Sequence, residues 1–275
     1  MASASEIPPA RAAELLDDLT AIVARACAKI SSLSSARLVP RMKADQSPVT
    51  VADEVSEALI TEGVAQLLPG VPVISEESAE ARHNRLVASF LIVDPLDGTR
   101  EFLAGRDEFT VNLSIITRGV PVAGIIAAPG RGRVWRGVVG VKAERLRLLE
   151  DGADQAQPIH TRVWPREGAV AAVSRSHFDK ATDAFLAVLG PITRTASGSA
   201  IKFCQVAEGV ADVYPRLATT CEWDVAAGQA LVVAAGGAVK TPQGLPLEYG
   251  RAAENFRVPA FVAWGDAGKS AVAGH

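Results

Sequence analysis

The apolar residues of this chain change their spacing twice, and this limits the folds that it can adopt. Over residues 12–30, and again over residues 55–67 after a loop, they recur three or four positions apart, which is typical of helices that pack on a core. Over residues 71–148 short apolar runs alternate with turns, which predicts consecutive strands of an antiparallel sheet. After residue 168 strand-like and helix-like segments alternate, which is an α/β pattern. We therefore expect a helical layer, an antiparallel sheet and a C-terminal α/β unit.

A polar, proline-containing stretch at residues 155–167 separates the two halves of the chain. We place a domain boundary there, so that residues 1–160 form an N-terminal α+β domain and residues 161–275 a C-terminal α/β domain. A chain of 275 residues is long enough for a hydrophobic core in each half. No internal repeat or low-complexity segment interrupts this division.

Composition and charge restrict the partners of the chain. Apolar residues make up 48% of the sequence and charged residues 21%, an ordinary globular composition. The net charge of −3 does not favour a nucleic-acid polymer, so a bound anion needs local cations or a metal. The three cysteines have no zinc spacing and are expected to be buried thiols. No transmembrane segment or secretion signal is expected, because the apolar windows are too short or too rich in alanine and glycine.

The segment with the most chemical content is Asp-Pro-Leu-Asp-Gly-Thr at residues 94–99, directly after an apolar run. Two carboxylates three residues apart at a strand end suit a hard cation with oxygen ligands, and the Leu96 carbonyl can add another oxygen. A helix that begins after Gly98 would offer free backbone amides to a phosphate. An ordinary turn with Thr99 as a helix N-cap explains the same residues, so this segment alone leaves both interpretations open.

Further acidic residues have ordinary explanations when each is taken by itself. Glu76 and Glu77 follow a predicted strand, where an acidic loop in solvent is the simpler interpretation. Asp53 lies in the first turn of the second predicted helix, where it completes a capping box. Asp224 begins an alanine-rich helix, where a carboxylate is a common N-cap. Their agreement with one pattern is what gives them weight.

The order of these motifs resembles the magnesium-dependent phosphatase superfamily that includes inositol monophosphatases, fructose-1,6-bisphosphatases and bisphosphate nucleotidases. That superfamily is identified by a Glu-Glu pair, an apolar strand ending in Asp-Pro-Leu-Asp-Gly-Thr, and a distant Trp-Asp at a helix start. This chain has them at Glu76-Glu77, at residues 94–99 and at Trp223-Asp224. The resemblance extends over roughly residues 43–263. It implies a five-layer α/β/α/β/α sandwich with the active site between the two halves.

The resemblance also implies a role for each residue of the motifs. Two Mg²⁺ ions are expected to be held by Glu76, Asp94, the Leu96 carbonyl, Asp97 and Asp224. A third, weaker ion is expected at Glu77 and Asp53. Asp53 and Thr99 would orient the attacking water, and the backbone amides of Gly98 and Thr99 would face the scissile phosphate. The ions would lower the pKa of the water and stabilise the leaving oxygen, which leaves little covalent work for the protein.

Other segments resemble the bacterial 3'(2'),5'-bisphosphate nucleotidases of the CysQ type. They are residues 43–50, residues 174–177, residues 197–204 and residues 214–216. In that subgroup 3'-phosphoadenosine 5'-phosphate loses its 3'-phosphate to leave AMP, so the 5'-phosphate needs a separate seat. The resemblance assigns this seat to His177, Ser199, Lys202 and Arg216, where cations beside a helix start suit an anion. Solvated surface charge is the alternative for Lys202 and Arg216.

Two other functions remain open on the same residues. Inositol monophosphatases carry a carboxylate in the loop before Trp-Asp, and the matching position here is Leu217, which disfavours an inositol or broad sugar phosphatase without excluding it. A catalytically silent nucleotide-binding sensor would lack a metal ligand or Thr99, and all of these residues are present. The resemblance further implies inhibition by Li⁺, a role in sulfur metabolism and a cytoplasmic location. It leaves open a peripheral attachment to the inner membrane and the choice between monomer and homodimer.

Overall fold

The computed structural model describes residues 6–33, 39–42, 48–78, 87–175 and 179–272. The helices in these ranges are α1 (Pro9–Ser32), α2 (Val51–Leu67), α3 (Thr99–Leu103), α4 (Lys180–Val188), α5 (Ile201–Ala207), α6 (Glu222–Ala234) and α7 (Lys269–Val272). The strands are β1 (Arg41–Met42), β2 (Pro48–Val49), β3 (Val73–Ser75), β4 (Ser89–Asp97), β5 (Thr110–Thr117), β6 (Val120–Ala128), β7 (Arg133–Val138), β8 (Lys142–Leu148), β9 (Ala153–Pro158), β10 (Ala169–Ser174), β11 (Ile192–Ser197), β12 (Val213–Arg216), β13 (Thr220–Cys221), β14 (Ala238–Lys240), β15 (Arg257–Val258) and β16 (Phe261–Trp264). None of the helices described is long and apolar enough to cross a membrane.

The larger sheet has the strand order β3-β4-β5-β6-β7-β8-β9. From β4 to β9 each strand is antiparallel to the next one in the chain, which confirms the predicted hairpins. β3 differs, since it pairs with β4 in parallel after a long connection. β9 lies partly in the polar stretch at residues 155–167, because an edge strand that is largely exposed needs no apolar alternation. The division into two domains stays a prediction.

The smaller sheet has the strand order β11-β10-β12-β16-β14. β10 is parallel to β11 and β12, and helices α4 and α5 connect these strands, as the α/β pattern predicts. β16 is antiparallel to β12 and β14. The single last strand predicted at residues 258–263 is wrong. Two strands occur there, since β15 pairs with β13 and β16 enters the smaller sheet.

Helices and sheets of the described residues stack in five layers, which confirms the predicted sandwich. α1 and α2 cover one face of the larger sheet, where Val111, Leu113 and Ile115 of β5 join their core. α5 and α6 lie between the two sheets in a second core that includes Phe203. α4 covers the outer face of the smaller sheet and packs around Trp264. The middle layer therefore contacts both sheets.

Helix α6 approaches the larger sheet closely because one residue of β6 has no side chain. A Cβ atom on Gly124 would lie 2.3 Å from the carbonyl oxygen of Ala227 in α6. Any side chain at this position would push the helix away from the sheet. Since Asp224 lies in the first turn of α6, this contact helps to place its carboxylate relative to β4.

Candidate active site

The segment 94–99 forms the end of β4, a bulge and the start of α3. Three steps along β4, from Asp94 to Asp97, match only two steps along β5, so β4 contains one extra residue. Such a bulge changes the direction of the side chains on either side of it. Gly98 follows with a φ of +90°, and a Cβ atom there would lie 2.2 Å from Ser199 Oγ. Glycine is therefore required both by its backbone conformation and by this close approach.

Three carboxylates converge at this strand end. Asp94 and Asp97 come from β4 and Asp224 from the first turn of α6, and one oxygen of each lies within 4.8 Å of the others. The hydroxyl of Thr220 and the backbone N–H of Cys221, at 3.1 Å, both donate to Asp224 Oδ2. The prediction that Asp224 is the N-cap of this helix is wrong, because α6 begins at Glu222 with Cys221 as its N-cap. Asp224 is the third helical residue, and its carboxylate closes a capping box with Cys221 while it also joins the cluster.

Two polar residues of β5 hold Asp97 in place. Thr110 Oγ1 and Asn112 Nδ2 each donate to Asp97 Oδ2 at 3.3 Å. Neither residue belongs to a sequence motif, and the predictions above omit both. The alternation along β5 is the signal that could have identified them, because both lie on the face opposite Val111.

The electrostatics of the cluster fit a divalent cation. Burial, followed by the negative charges of Glu76, Asp97 and Asp224, raises the pKa of Asp94 well above its ordinary value. Burial and then the charge of Asp224 raise the pKa of Asp97 to about 6. Carboxylates this close repel one another in the absence of a cation, and oxygen ligands suit Mg²⁺.

The same cluster lines a cavity of about 340 Å³. Its described lining contains the carboxylates of Glu76, Asp94, Asp97, Glu101 and Asp224. It also contains the cations Arg100, Lys202 and Arg216. Because carboxylates outnumber cations in this lining, a phosphate dianion would be repelled unless metal ions offset the negative charge.

Asp53 reaches this cavity through Thr99. Asp53 Oδ2 accepts hydrogen bonds from the N–H and the hydroxyl of Thr50, both at 2.7 Å, within the capping box predicted for α2. Its other oxygen accepts from Thr99 Oγ1 at 3.0 Å. Burial raises the pKa of Asp53, and the hydrogen bonds from Thr50 and Thr99 oppose this effect. Since the Thr99 hydroxyl donates to Asp53, its lone pairs can accept a hydrogen bond in the cavity.

Lys202 is a buried cation and not a solvated surface charge. The residue is 2% exposed, and its Nζ donates to the carbonyl oxygens of Ser197, at 3.3 Å, and Ser199. Burial lowers the pKa of Lys202 to about 8. Arg216 lines the same cavity, and its Nε is a buried donor that lacks a hydrogen-bond partner among the described residues. A cationic donor with no partner beside a cavity suits an anionic ligand.

Comparison with known proteins places this geometry in a family. A model of the inositol monophosphatase family matches residues 12–261. The chain belongs to the inositol monophosphatase family. The 3'(2'),5'-bisphosphate nucleotidase CysQ of Salmonella typhimurium is 39% identical over 228 residues, which cover 80% of this chain and 86% of the relative. The protein of the same name from Escherichia coli K12 is 38% identical over 230 residues, with the same shares covered.

Solved structures of the inositol monophosphatase family share the fold. The crystal structure of CysQ from Bacteroides thetaiotaomicron matches with a TM-score of 0.75 and 34% identity, over 92% of this chain and 97% of that one. The inositol monophosphatase from Anabaena matches with a TM-score of 0.72 and 23% identity, over 95% and 94% of the two chains. Both matches confirm the expected fold class.

The structure brings most residues predicted for an inositol monophosphatase site into one cavity. The predicted residues in its lining are Glu76, Asp94, Leu96, Asp97, Gly98, Thr99, Ser199, Lys202, Arg216 and Asp224. Asp53 joins them through Thr99, as described above. Glu77 is partly buried next to Glu76, and its assignment to a third ion stays a prediction. His177 and residues 43–47 lie outside the described residues.

The local structure at Ser199 differs from the predicted helix start. Ser199 has a φ of +46°, which a right-handed helix excludes, so α5 begins at Ile201. Its Oγ donates to the carbonyl oxygens of Asp97, at 2.9 Å, and Glu108, at 2.7 Å. A single hydroxyl hydrogen is fully used by these contacts. The predicted substrate-binding role of Ser199 is therefore limited to its acceptor lone pairs or its backbone.

Glu222, the acidic neighbour of Trp223, is engaged by the main chain. Its carboxylate is buried and accepts from the N–H groups of Gly250, at 2.7 Å, and Arg251, at 2.8 Å. Burial raises the pKa of Glu222. This carboxylate stabilises a loop and does not replace the sugar-binding carboxylate expected of inositol monophosphatases.

Proposed function

We propose that this chain is a metal-dependent phosphomonoesterase that converts 3'-phosphoadenosine 5'-phosphate to AMP and phosphate. One observation carries the proposal, namely that a single cavity is lined by an acidic cluster and by the cations Lys202 and Arg216. A substrate with one phosphate to be hydrolysed and a second to be held matches that combination. The name 3'(2'),5'-bisphosphate nucleotidase, which the relatives carry, supports the same substrate class.

In this proposal the acidic cluster holds two Mg²⁺ ions. The ligands are Glu76, Asp94, the Leu96 carbonyl, Asp97 and Asp224, with Glu77 and Asp53 assigned to a third, weaker ion. When bound, the ions supply charge neutralisation at the phosphoryl oxygens and acidification of water. The short distances between the carboxylate oxygens and the raised pKa of Asp94 support this assignment.

Thr99 orients the attacking water, and Asp53 orients Thr99. The Thr99 hydroxyl has two acceptors, Asp53 Oδ1 at 3.0 Å and the Leu96 carbonyl oxygen at 3.2 Å. Its one hydrogen is directed to these acceptors, so that its lone pairs accept from water in the cavity. Asp53 is itself held by Thr50 at the start of α2, which limits its motion. The backbone amides of Gly98 and Thr99 are assigned to the scissile phosphate.

Lys202 and Arg216 hold the 5'-phosphate, together with the predicted contributions of His177 and Ser199. Lys202 keeps part of its hydrogen-bonding capacity, since an ammonium has three donors and the carbonyl oxygens of Ser197 and Ser199 take two of them. The Nε of Arg216, which has no hydrogen-bond partner among the described residues, is a second donor on a positively charged side chain. A charge-assisted hydrogen bond contributes about 1.5–3 kcal/mol, so these residues can select a bisphosphate over a monophosphate.

Phosphate release from 3'-phosphoadenosine 5'-phosphate and from inositol 1-phosphate, with Mg²⁺ or with excess chelator, tests the proposal. We expect Mg²⁺-dependent turnover with a higher kcat/KM for the nucleotide. A higher kcat/KM for the inositol phosphate would contradict the assigned phosphate seat and leave the metal site intact. Binding of the nucleotide without turnover in Mg²⁺ would instead indicate a sensor.

A further inference from the structure

Glu108, near the cavity, has a carboxylate that accepts four hydrogen bonds. It lies in the loop between α3 and β5 and is 7% exposed. Its Oε2 accepts from Arg175 Nε and from the Gly198 N–H, both at 2.9 Å. Its Oε1 accepts from Arg175 Nη2 at 2.8 Å and from Arg131 Nη2 at 3.4 Å. Hydrogen bonds from the Arg175 side chain are the largest cause of its lowered pKa.

These contacts join segments that are distant in sequence. Arg175 directly follows β10, and Gly198 lies between β11 and α5, so both belong to the smaller sheet and its loops. Glu108 belongs to the chain that leads from the metal motif into β5 of the larger sheet. The backbones also approach closely, because a Cβ atom on Gly198 would lie 2.9 Å from the Glu108 carbonyl oxygen.

The main chain of Glu108 extends the connection to the metal motif. Its carbonyl accepts from Ser199 Oγ at 2.7 Å, and the same Oγ donates to the Asp97 carbonyl at 2.9 Å. The loop at residues 197–199 in turn supplies both carbonyl oxygens that hold Lys202 Nζ. Glu108 thus contacts the loop that directs the Lys202 ammonium. Through Ser199 it is also connected to Asp97, a member of the acidic cluster.

We propose that Glu108 is a positioning residue that sets the distance between the metal cluster and the seat of the second phosphate, acting through Gly198 and Ser199 on Lys202. This inference rests on the proposed function. Arg175 supports Glu108 in this role, because its guanidinium neutralises the Glu108 carboxylate and connects it to the end of β10. The neutralisation also prevents the carboxylate from repelling an anionic substrate.

Steady-state kinetics with two nucleotides distinguish positioning from general structural support. Adenosine 3'-monophosphate carries the scissile phosphate but lacks the phosphate that Lys202 holds. Glu108→Gln replaces one acceptor oxygen with an amide donor that faces the donors of Arg175. We expect KM for 3'-phosphoadenosine 5'-phosphate to rise roughly tenfold, the effect of one charged hydrogen bond, with kcat and the KM of the monophosphate little changed.

A double-mutant cycle with Arg175→Gln gives the second readout. If the two residues act as one unit, the double variant should raise KM for the bisphosphate no more than Glu108→Gln alone. Arg175→Gln alone should raise that KM less, since Gly198 and Arg131 still hold the carboxylate. The Arg175→Gln variant also keeps the inference testable if Glu108→Gln does not fold.

The exposed ion pair between Arg147 and Asp154 provides a matched control. Arg147 Nε donates to Asp154 Oδ1 at 2.8 Å, and the pair links β8 and β9 at the sheet edge, outside the cavity. Asp154→Asn should leave both KM values unchanged.

Three results would overturn the inference about Glu108. They are unchanged kinetics in Glu108→Gln, equal losses on both nucleotides, and a lower KM for the bisphosphate. The last would mean that the released Arg175 binds substrate. A wild-type chain that does not hydrolyse the bisphosphate overturns the proposed function and this inference with it, whereas an active wild type with unaffected variants overturns the inference alone.

Discussion

Lys202 is 2% exposed, and the lining of its cavity contains more described carboxylates than cations. Burial disfavours the charged form of an amine, and the Asp97 carboxylate opposes this effect only in part. The pKa of Lys202 is therefore lowered to about 8. A lysine in this state is cationic at neutral pH and loses its charge in mildly alkaline solution, so a phosphate that it holds should bind in a pH-dependent way.

We expect kcat/KM for 3'-phosphoadenosine 5'-phosphate to fall as the pH rises through about 8, because the free enzyme then loses the Lys202 charge. The profile for adenosine 3'-monophosphate should lack this fall. Lys202→Met should lower kcat/KM for the bisphosphate at neutral pH by roughly ten- to a hundredfold and remove the alkaline fall. A fall that persists in Lys202→Met would assign it to another group.

Helices α2 and α6 both begin with a cap that also belongs to the candidate site. Asp53 caps α2 at Thr50 and accepts from Thr99, which is 46 residues away in sequence. Asp224 accepts from Cys221 at the start of α6 and joins the acidic cluster. The cap of α2 was predictable because it forms within three residues of chain. At α6 the sequence identified the carboxylate but not its position, since Cys221 and not Asp224 is the N-cap. The second contact of each carboxylate depends on the packing of whole elements.

The contact between α6 and β6 leads to a stability prediction. Gly124→Ala should lower the free energy of unfolding by about 1–3 kcal/mol, because the new methyl group would overlap the Ala227 carbonyl oxygen. It should also reduce kcat, since α6 carries Asp224. Urea unfolding and steady-state kinetics measure the two effects.

Gly152→Ala is the control for this substitution. No described atom lies within 4 Å of a Cβ atom at that position. We expect a change in the free energy of unfolding within about 0.5 kcal/mol and unchanged kinetics. Equal destabilisation by the two substitutions would show that the close approach of α6 to the sheet is not what Gly124 provides.

At the scale of the whole molecule, the acidic cluster forms only when the larger sheet and the middle helices pack together. Asp94 is buried among Glu76, Asp97 and Asp224, which raise its pKa after burial itself. A folded state that raises a carboxyl pKa binds a proton more tightly than the unfolded chain does. In the absence of metal, the protein should therefore gain stability as the pH falls through about 6, the pKa to which Asp97 is raised.

Thermal unfolding with Mg²⁺ or chelator, at about pH 6 and about pH 8, tests this linkage. Mg²⁺ should raise the Tm by several degrees at the higher pH, because it binds only the folded state, and by less at the lower pH, where protons compete. Asp94→Asn should raise the Tm of the metal-free protein at about pH 8 and abolish most of the Mg²⁺ effect. A Tm that is independent of Mg²⁺ in the wild type would contradict the metal site.

The sequence by itself determined the order of the longer helices and strands, the face of β5 that packs against α1 and α2, the cap of α2, and the motif residues proposed for the candidate site. These depend on side-chain period or on contacts within a few residues, which a linear pattern records. The polar edge strand β9 escaped that pattern, because its strand structure rests on hydrogen bonds to β8 and not on buried side chains.

Only the tertiary structure decided that Lys202 is buried, that Thr110 and Asn112 hold Asp97, and that Glu108 connects the two sheets. Burial of a charge and hydrogen bonds between distant segments depend on how the layers pack. A buried lysine or glutamate cannot be distinguished from a solvent-exposed one by sequence pattern alone. The physical reason is that each such contact requires two surfaces, and only folding brings the second surface into place.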